Sequence, residues 1–444
     1  KERISDKKEI LLELSKLSGV YVPCFYEVNY NDRGEIISIS PNRPGVKTTI
    51  KRQIVADLDN SFYPVNFIVP NRDIVHDRAV VEIARGCTRG CRFCAAGISY
   101  RPVRERSREK IIELADKILA ATGYEELSLS SLSTVDHSQI SELVPELARR
   151  YADKNINIAL PSLRVDRFSV ELAKEVQLVR KSGLTFAPEA GTQRLRNVIN
   201  KGVNERDLYE AVRGAFEEGW STIKLYFMLG LPTETFEDLA GIERLVKKVL
   251  KIGRKIRKES SKKMRGIKIH VSVSTFVPKP FTPFQWVGMD NREEIEEKQQ
   301  FLMDRIRGRG LNLNWNEPDL SLLEGVFSRG DRRLAAVLET AWKKGCRFEG
   351  WNDTFSPELW QQAFAENNIE MEEYLFPRTL DQILPWDHIN MGISKEFLER
   401  EYRRAMEEKV TEDCRRQGCS GCNICDELGV KQVLTGGDVN DNQG

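Results

Sequence analysis

No run of about 18 consecutive apolar residues occurs in this 444-residue chain, which excludes a membrane-spanning helix of ordinary length. The first ten residues, KERISDKKEI, are mostly charged and unlike the apolar centre of a secretory signal, so a cytoplasmic location is expected. Charge of one sign is also lacking. The formal net charge is +1, so no global electrostatic attraction to nucleic acid or to a membrane surface is implied. Histidine is scarce: the four present, His76, His137, His270 and His388, all lie away from the cysteines in sequence. The chain opens on Lys1, not Met, and an upstream domain is expected to have preceded it.

Cysteine, by contrast, is concentrated. Of nine, seven fall into two tight groups, Cys87/Cys91/Cys94 and Cys414/Cys419/Cys422/Cys425, while Cys24 and Cys346 stand apart. In a long chain of cytoplasmic character this clustering indicates metal ligation and not a disulfide framework. The first group has only three members. A closed structural zinc site takes four ligands, and no histidine is near to complete one. Three thiolates can instead hold three irons of a cubane, leaving the fourth iron open to another ligand. Gly86 and Gly90 permit the tight turns such a loop needs, and Arg85, Arg89 and Arg92 are expected to favour thiolate over thiol. The second group has four cysteines within twelve residues. It suits either a four-cysteine zinc knuckle or a second iron–sulfur cluster, with no coordination position left open.

The chain divides by pattern. Residues 1–78 read as a lead-in: an amphipathic helix over 5–17, then short β-rich stretches with a hairpin turn at Asp32-Arg33-Gly34. From 79 to 290, short apolar runs alternate with helical stretches of period near 3.6. The predicted strands are 79–84, 126–130, 156–160, 184–187, 222–228 and 268–276. Helices are predicted to begin near Ser107, Ser138, Ser169, Thr192, Asn204 and Thr233, several of which are good N-caps. Six strands alternating with helices imply parallel β/α units, in a doubly wound sheet or a full or partial barrel. Each motif-like segment falls just after a strand, at the edge where ligands of such folds bind. Residues 291–410 read as mainly helical, and Trp315, Trp342, Trp351, Trp360 and Trp386 are expected in its core. A four-cysteine segment at 411–434 and a disordered tail at 435–444 complete the chain.

The run Cys87-x3-Cys91-x2-Cys94, with Phe93 before the last cysteine, resembles the signature of the radical S-adenosylmethionine (radical SAM) superfamily. Longer phrases, 86–94, 100–106, 276–286 and 328–333, resemble its cobalamin-binding-domain-containing subgroup. The resemblance implies an α/β fold, a partial (β/α)6 TIM-type barrel, with a [4Fe-4S] cluster on Cys87, Cys91 and Cys94. It implies that S-adenosylmethionine binds the open iron and is reductively cleaved to methionine and a 5'-deoxyadenosyl radical. Ser130, Ser131 and Ser133 stand where a methionine-binding loop is placed. Glu189, in Ala-Pro-Glu-Ala-Gly, stands where an acidic residue meets the cosubstrate amine or ribose. Ser162 and Arg164 are candidates for the ribose or carboxylate, Arg194 is a second carboxylate candidate, and Gly230 and Pro232 fit the loop that packs the adenine. A one-electron donor such as flavodoxin or ferredoxin is implied. The Asp-x-His-x-x-Gly cobalt-ligand motif occurs nowhere in the 444 residues, so cobalamin is expected only through an upstream domain.

Reaction and substrate stay open at this point. Methyl transfer with cobalamin comes first by analogy, and methylthiolation of RNA or protein is an alternative. A non-catalytic iron–sulfur or zinc scaffold is the competing class, which the Glu189 and Gly230 loops disfavour because a scaffold needs no cosubstrate site. The basic run Arg101, Arg104, Arg106, Arg108 and Lys110 reads first as a solvated helix start, diluted by Glu105 and Glu109, and as an alternative admits an RNA or phosphorylated substrate.

Overall fold

The computed structural model describes residues 6–72, 74–160, 184–260, 266–351 and 353–436. The lead-in begins with the helix Lys7–Lys16, capped by the Asp6 carboxylate, which accepts from the Lys8 backbone N–H. Strands β1 (Tyr26–Tyr30) and β2 (Ile36–Pro41) form the expected antiparallel hairpin. Its turn passes through Gly34 at φ +76°, a conformation that costs glycine little. A short strand, β3 (Ile50–Lys51), pairs in parallel with Ile389–Asn390, so the lead-in is tied to the far end of the chain.

The central region is built of parallel strands. β4 (Ala79–Glu82) is followed by the two-residue pair β5 (Ala84–Arg85) and β6 (Arg104–Glu105), then by β7 (Glu126–Ser130) and β8 (Asn157–Ala159). β4, β7 and β8 form one parallel sheet in that order. β9 (Leu184–Glu189), β10 (Thr222–Leu229), β11 (Lys268–Thr275) and β12 (Leu311–Trp315) form a second, also parallel throughout. The fold is α/β, a partial barrel as expected, and no closed sheet is seen among the described residues. β12 lies within the stretch expected to be helical; its alternating Leu-Asn-Leu-Asn-Trp pattern adds a strand beyond the six predicted.

Each sheet buries one face against helices. Ala79, Val81, Leu127 and Leu129 pack with Ile111, Ile118, Leu143 and Leu147 of the helices Arg108–Thr122 and Ile140–Tyr151. Ile223, Leu225, Phe227, Ile269, Val271 and Val273 pack with the helices Glu205–Glu217 and Phe236–Glu259. The opposite face of the second sheet is polar. Register places Thr185, Lys224, His270 and Asn312 in one row and Tyr226, Ser272 and Asn314 in the next. Parallel sheets are usually apolar on both faces, so this interior face is suited to a polar ligand.

Helix starts follow the capping residues, with two shifts. The helix expected near Ser138 begins at Ile140 behind Gln139, and the Ser138 hydroxyl donates to Glu105 instead. The long helix begins at Phe236 behind Thr235, not at Thr233, because Thr235 and Asp238 form a reciprocal capping box. The helix expected near Ser169 lies outside the described residues. The tryptophans divide: Trp360 and Trp386 are buried, whereas Trp315, Trp342 and Trp351 are exposed, which corrects the expectation that all five are core. In the tail, Thr435 and Gly436 bond to Glu105 and Ser138, and residues from 437 onward lie outside the described residues. No helix among the described residues is long and apolar enough to cross a membrane.

Candidate metal and cosubstrate site

The triplet loop leaves the sheet at β5 and returns at β6, whose antiparallel pairing, Ala84 with Glu105 and Arg85 with Arg104, closes it like a drawstring. Gly86 at φ +96° lies against the Tyr100 and Pro102 carbonyl oxygens, where a Cβ would sit within 2.7 Å of both. No other residue fits without moving the loop. Cys94 caps the short helix Ala95–Ser99, and its sulfur accepts from the Gly97 N–H at 3.3 Å.

Cys91 acts electrostatically on both Cys87 and Cys94, so the three thiols share one locale. Burial pushes the Cys87 thiol up to about 11, with Cys91 adding to the rise, and burial and Cys91 likewise raise Cys94. Cys87 is therefore protonated near neutrality, and a metal that binds it must displace that proton. The expected help from neighbouring arginines is not there. Arg85 is paired with Glu82 at 2.7 Å, Arg89 chelates Asp136, and Arg92 is paired with Glu401 at 3.0 Å. The donor set, three soft thiols on one loop with backbone N–H support, fits an iron–sulfur core.

The loops after later strands converge on this one. From the first sheet, the Ser130 carbonyl accepts from the Ile83 N–H, and Asp136 holds Arg89. Ser131 and Ser133 are engaged within their own turn, Ser131 with Thr134 at 3.1 Å and Ser133 with Asp136 at 2.6 Å. From the second sheet, the Asn200 side chain donates to the Gly90 carbonyl at 3.1 Å. Glu189 ends β9 at φ +69°, a backbone conformation rare for a residue with a side chain. Its carboxylate accepts from Lys201 at 3.0 Å, and the Lys201 ammonium stands 6.0 Å from the centre of the Phe93 ring. Glu189 is thereby linked to the triplet through a lysine that nothing in the sequence singled out.

Gly230, at φ +79°, donates its N–H to Glu234 at 2.7 Å. Glu234 is buried beside Lys298 at 3.3 Å, and Lys298 reaches Asp290 at 2.6 Å. Burial pushes the Glu234 carboxyl up to about 7, against the pull of Lys298. The segment 230–232 is thus braced from below by a buried charge group. Arg194 donates to Thr233, Asp238 and Glu408, so it joins the Glu189 helix to the Gly230 loop and has two carboxylates of the chain as partners. Ser162 and Arg164 lie outside the described residues.

Three of the five basic residues in the run are buried, while Arg108 and Lys110 are partly exposed and paired with Glu142 and Glu113. Arg101, Arg104 and Arg106 are 5%, 1% and 1% exposed and donate to backbone carbonyls, including those of Cys87, Tyr100 and Glu82. Arg101, Arg104 and Arg106 organise the triplet loop from within and are not available to an RNA.

Residues 81–246 match the Radical SAM superfamily. An uncharacterized protein of Methanocaldococcus jannaschii is 31% identical over 66% of this chain and 61% of its own length. An uncharacterized methyltransferase of Pyrococcus horikoshii is 23% identical over 54% of this chain and 50% of its own. The ribosomal protein uS12 methylthiotransferase RimO of a Thermotoga species is 23% identical over 78% of this chain and 79% of its own length. The chain thus spans between half and two thirds of the first two relatives.

Proposed function

We propose that this chain, whose residues 81–246 match the Radical SAM superfamily, is an enzyme that cleaves S-adenosylmethionine at a [4Fe-4S] cluster held by Cys87, Cys91 and Cys94. The observation that carries the reading is the convergence of the Glu189 loop on the triplet through Lys201 and Phe93. The cluster, when bound, supplies an electron and an open iron for the cosubstrate. The chain's own residues do the rest. Glu189 offers a carboxylate oxygen to cosubstrate N–H or O–H donors, and its second oxygen is steadied by Lys201. Ser130, Ser131 and Ser133 offer hydroxyls at the end of β7, and the braced loop at Gly230 and Pro232 gives a flat wall for a base. The polar face at Lys224, Tyr226, His270 and Ser272 receives the substrate.

Methyl transfer is the reaction class we favour, with cobalamin bound outside these residues; the Pyrococcus relative's name supports it. Methylthiolation, the reaction in the RimO relative's name, ranks second, because four thiolates at the C-terminal quartet leave no position for a sulfur donor. Addition of S-adenosylmethionine to the reduced, reconstituted protein tests the reading. The electron paramagnetic resonance spectrum of the cluster should change, and Glu189→Gln should demand more cosubstrate for the same change. A spectrum indifferent to S-adenosylmethionine contradicts the proposal.

A further inference from the structure

The second cysteine group is separated from the first by more than 300 residues of sequence, yet the fold sets them side by side. Asn200 bridges the two segments, donating to the Gly90 carbonyl and to the Thr411 carbonyl at 3.0 Å while accepting from the Thr411 N–H at 2.9 Å. Arg89 reaches Asp413 at 3.5 Å, and Arg415 reaches Glu105 at 3.0 Å and the Asp136 carbonyl. Beyond the quartet, the Val433 N–H donates to the Val103 carbonyl at 2.9 Å, and Thr435 donates to Glu105.

Between the two groups lies Arg101, only 5% exposed. It donates to the Cys87 carbonyl at 3.0 Å and the Thr88 carbonyl at 3.3 Å, and its guanidinium also faces Cys422, Cys414 and the Cys87 thiol. Arg101 thus fastens the triplet loop from within, on the side where Cys414 and Cys422 lie.

From this juxtaposition we propose that Cys414, Cys419, Cys422 and Cys425 hold a second iron–sulfur cluster, fully ligated by protein and seated against the triplet loop across Arg101. The local geometry suits it. Gly418, Gly421 and Asn423 at positive φ curl the segment, the Gly421 N–H points at the Cys419 sulfur at 3.3 Å, and Gln432 donates to the Cys414 sulfur at 3.1 Å. Cys422 is sunk among Ile98, Trp286 and Phe397, which would keep water from one side of the core. Hydrogen bonds onto the Cys414 and Cys419 sulfurs and an apolar cover over Cys422 are surroundings by which a protein tunes a bound iron–sulfur core.

This inference does not require that the triplet cleave S-adenosylmethionine, and its test is separate. The full chain is reconstituted anaerobically with iron and sulfide in the presence of equimolar zinc, and metals are counted. Wild type should bind about eight irons, as two cubanes require. The triplet variant Cys87→Ser/Cys91→Ser/Cys94→Ser and the quartet variant Cys419→Ser/Cys425→Ser should each retain about half. The triplet variant alone is decisive if the quartet variant precipitates, because it leaves the proposed site intact. Zinc in place of iron in the triplet variant, or no metal at all, overturns the proposal. Reduced wild type should also show spin–spin broadening that both variants lose; narrow, independent signals overturn the adjacency.

Discussion

Arg92 lies between Cys91 and Phe93 with its side chain wholly buried, and Glu401 opposite it is 3% exposed. Its Nε and Nη2 donate to one Glu401 oxygen at 3.1 and 3.0 Å, Nη1 donates to the Asn197 and Val198 carbonyls at 3.0 Å each, and Nη2 to the Lys409 carbonyl at 2.7 Å. Thr411 donates to Glu401 as well. One residue of the metal loop thus fastens the loop to the helix Lys395–Met406 and to the approach of the C-terminal quartet. Glu401→Gln keeps the shape and an acceptor but leaves the guanidinium buried without its counter-charge, a defect that costs about 3–5 kcal/mol. Out of a total stability on the order of 5–15 kcal/mol, this is a large share. Guanidinium chloride unfolding of the metal-free protein measures it. Arg92→Met/Glu401→Leu should recover much of the loss, since apolar replacement of a buried pair is tolerated. A Glu401→Gln variant within about 1 kcal/mol of wild type would refute the reasoning, because exposed pairs are worth that little.

Two further outcomes follow from the buried titratable groups. The Glu234 carboxyl is raised from 4.5 to about 7 by burial, so the native state holds a proton that the unfolded chain releases. Its contribution is fully present below about pH 4.5 and lost as pH rises through about 7, by up to about 3 kcal/mol. Unfolding free energies of wild type and Glu234→Gln should therefore diverge between pH 5 and pH 8 in the variant's favour; a constant difference contradicts the assignment. Cys87, raised to about 11 by burial, should resist iodoacetamide at pH 7.5 in the metal-free protein, while the exposed Cys24 is alkylated. Peptide mass spectrometry after timed quenching reads both, and faster labelling of Cys87 would contradict its burial.

Much of the scaffold is legible in the sequence because strands and helices announce themselves locally. Each of the six predicted core strands overlaps an observed one, with ends displaced by two residues at most, as at β9, where the strand runs on through Pro188 to Glu189. β12 escaped notice because five residues of alternating Leu and Asn carry little periodic weight amid long helices. The cysteine triplet stands out as a candidate by its spacing, and Glu189 only by the family resemblance. Lys201, Asn200 and Glu401 do not stand out, since their roles depend on contacts across the fold: Arg92 and Glu401 are 309 residues apart. The arginines show the difference most clearly. Sequence proximity suggests that Arg85, Arg89 and Arg92 serve the thiols, whereas carboxylates claim all three and Arg101, seven residues beyond Cys94, faces the sulfurs instead. Proximity in the chain does not determine which charge a buried side chain meets.

The central claim is that the triplet leaves one iron open for S-adenosylmethionine. The intact protein, reconstituted anaerobically and given a one-electron reductant and S-adenosylmethionine, should release 5'-deoxyadenosine, and Cys87→Ser/Cys91→Ser/Cys94→Ser should release none. An iron-replete wild type that forms no 5'-deoxyadenosine, or a triplet variant that still does, contradicts the account.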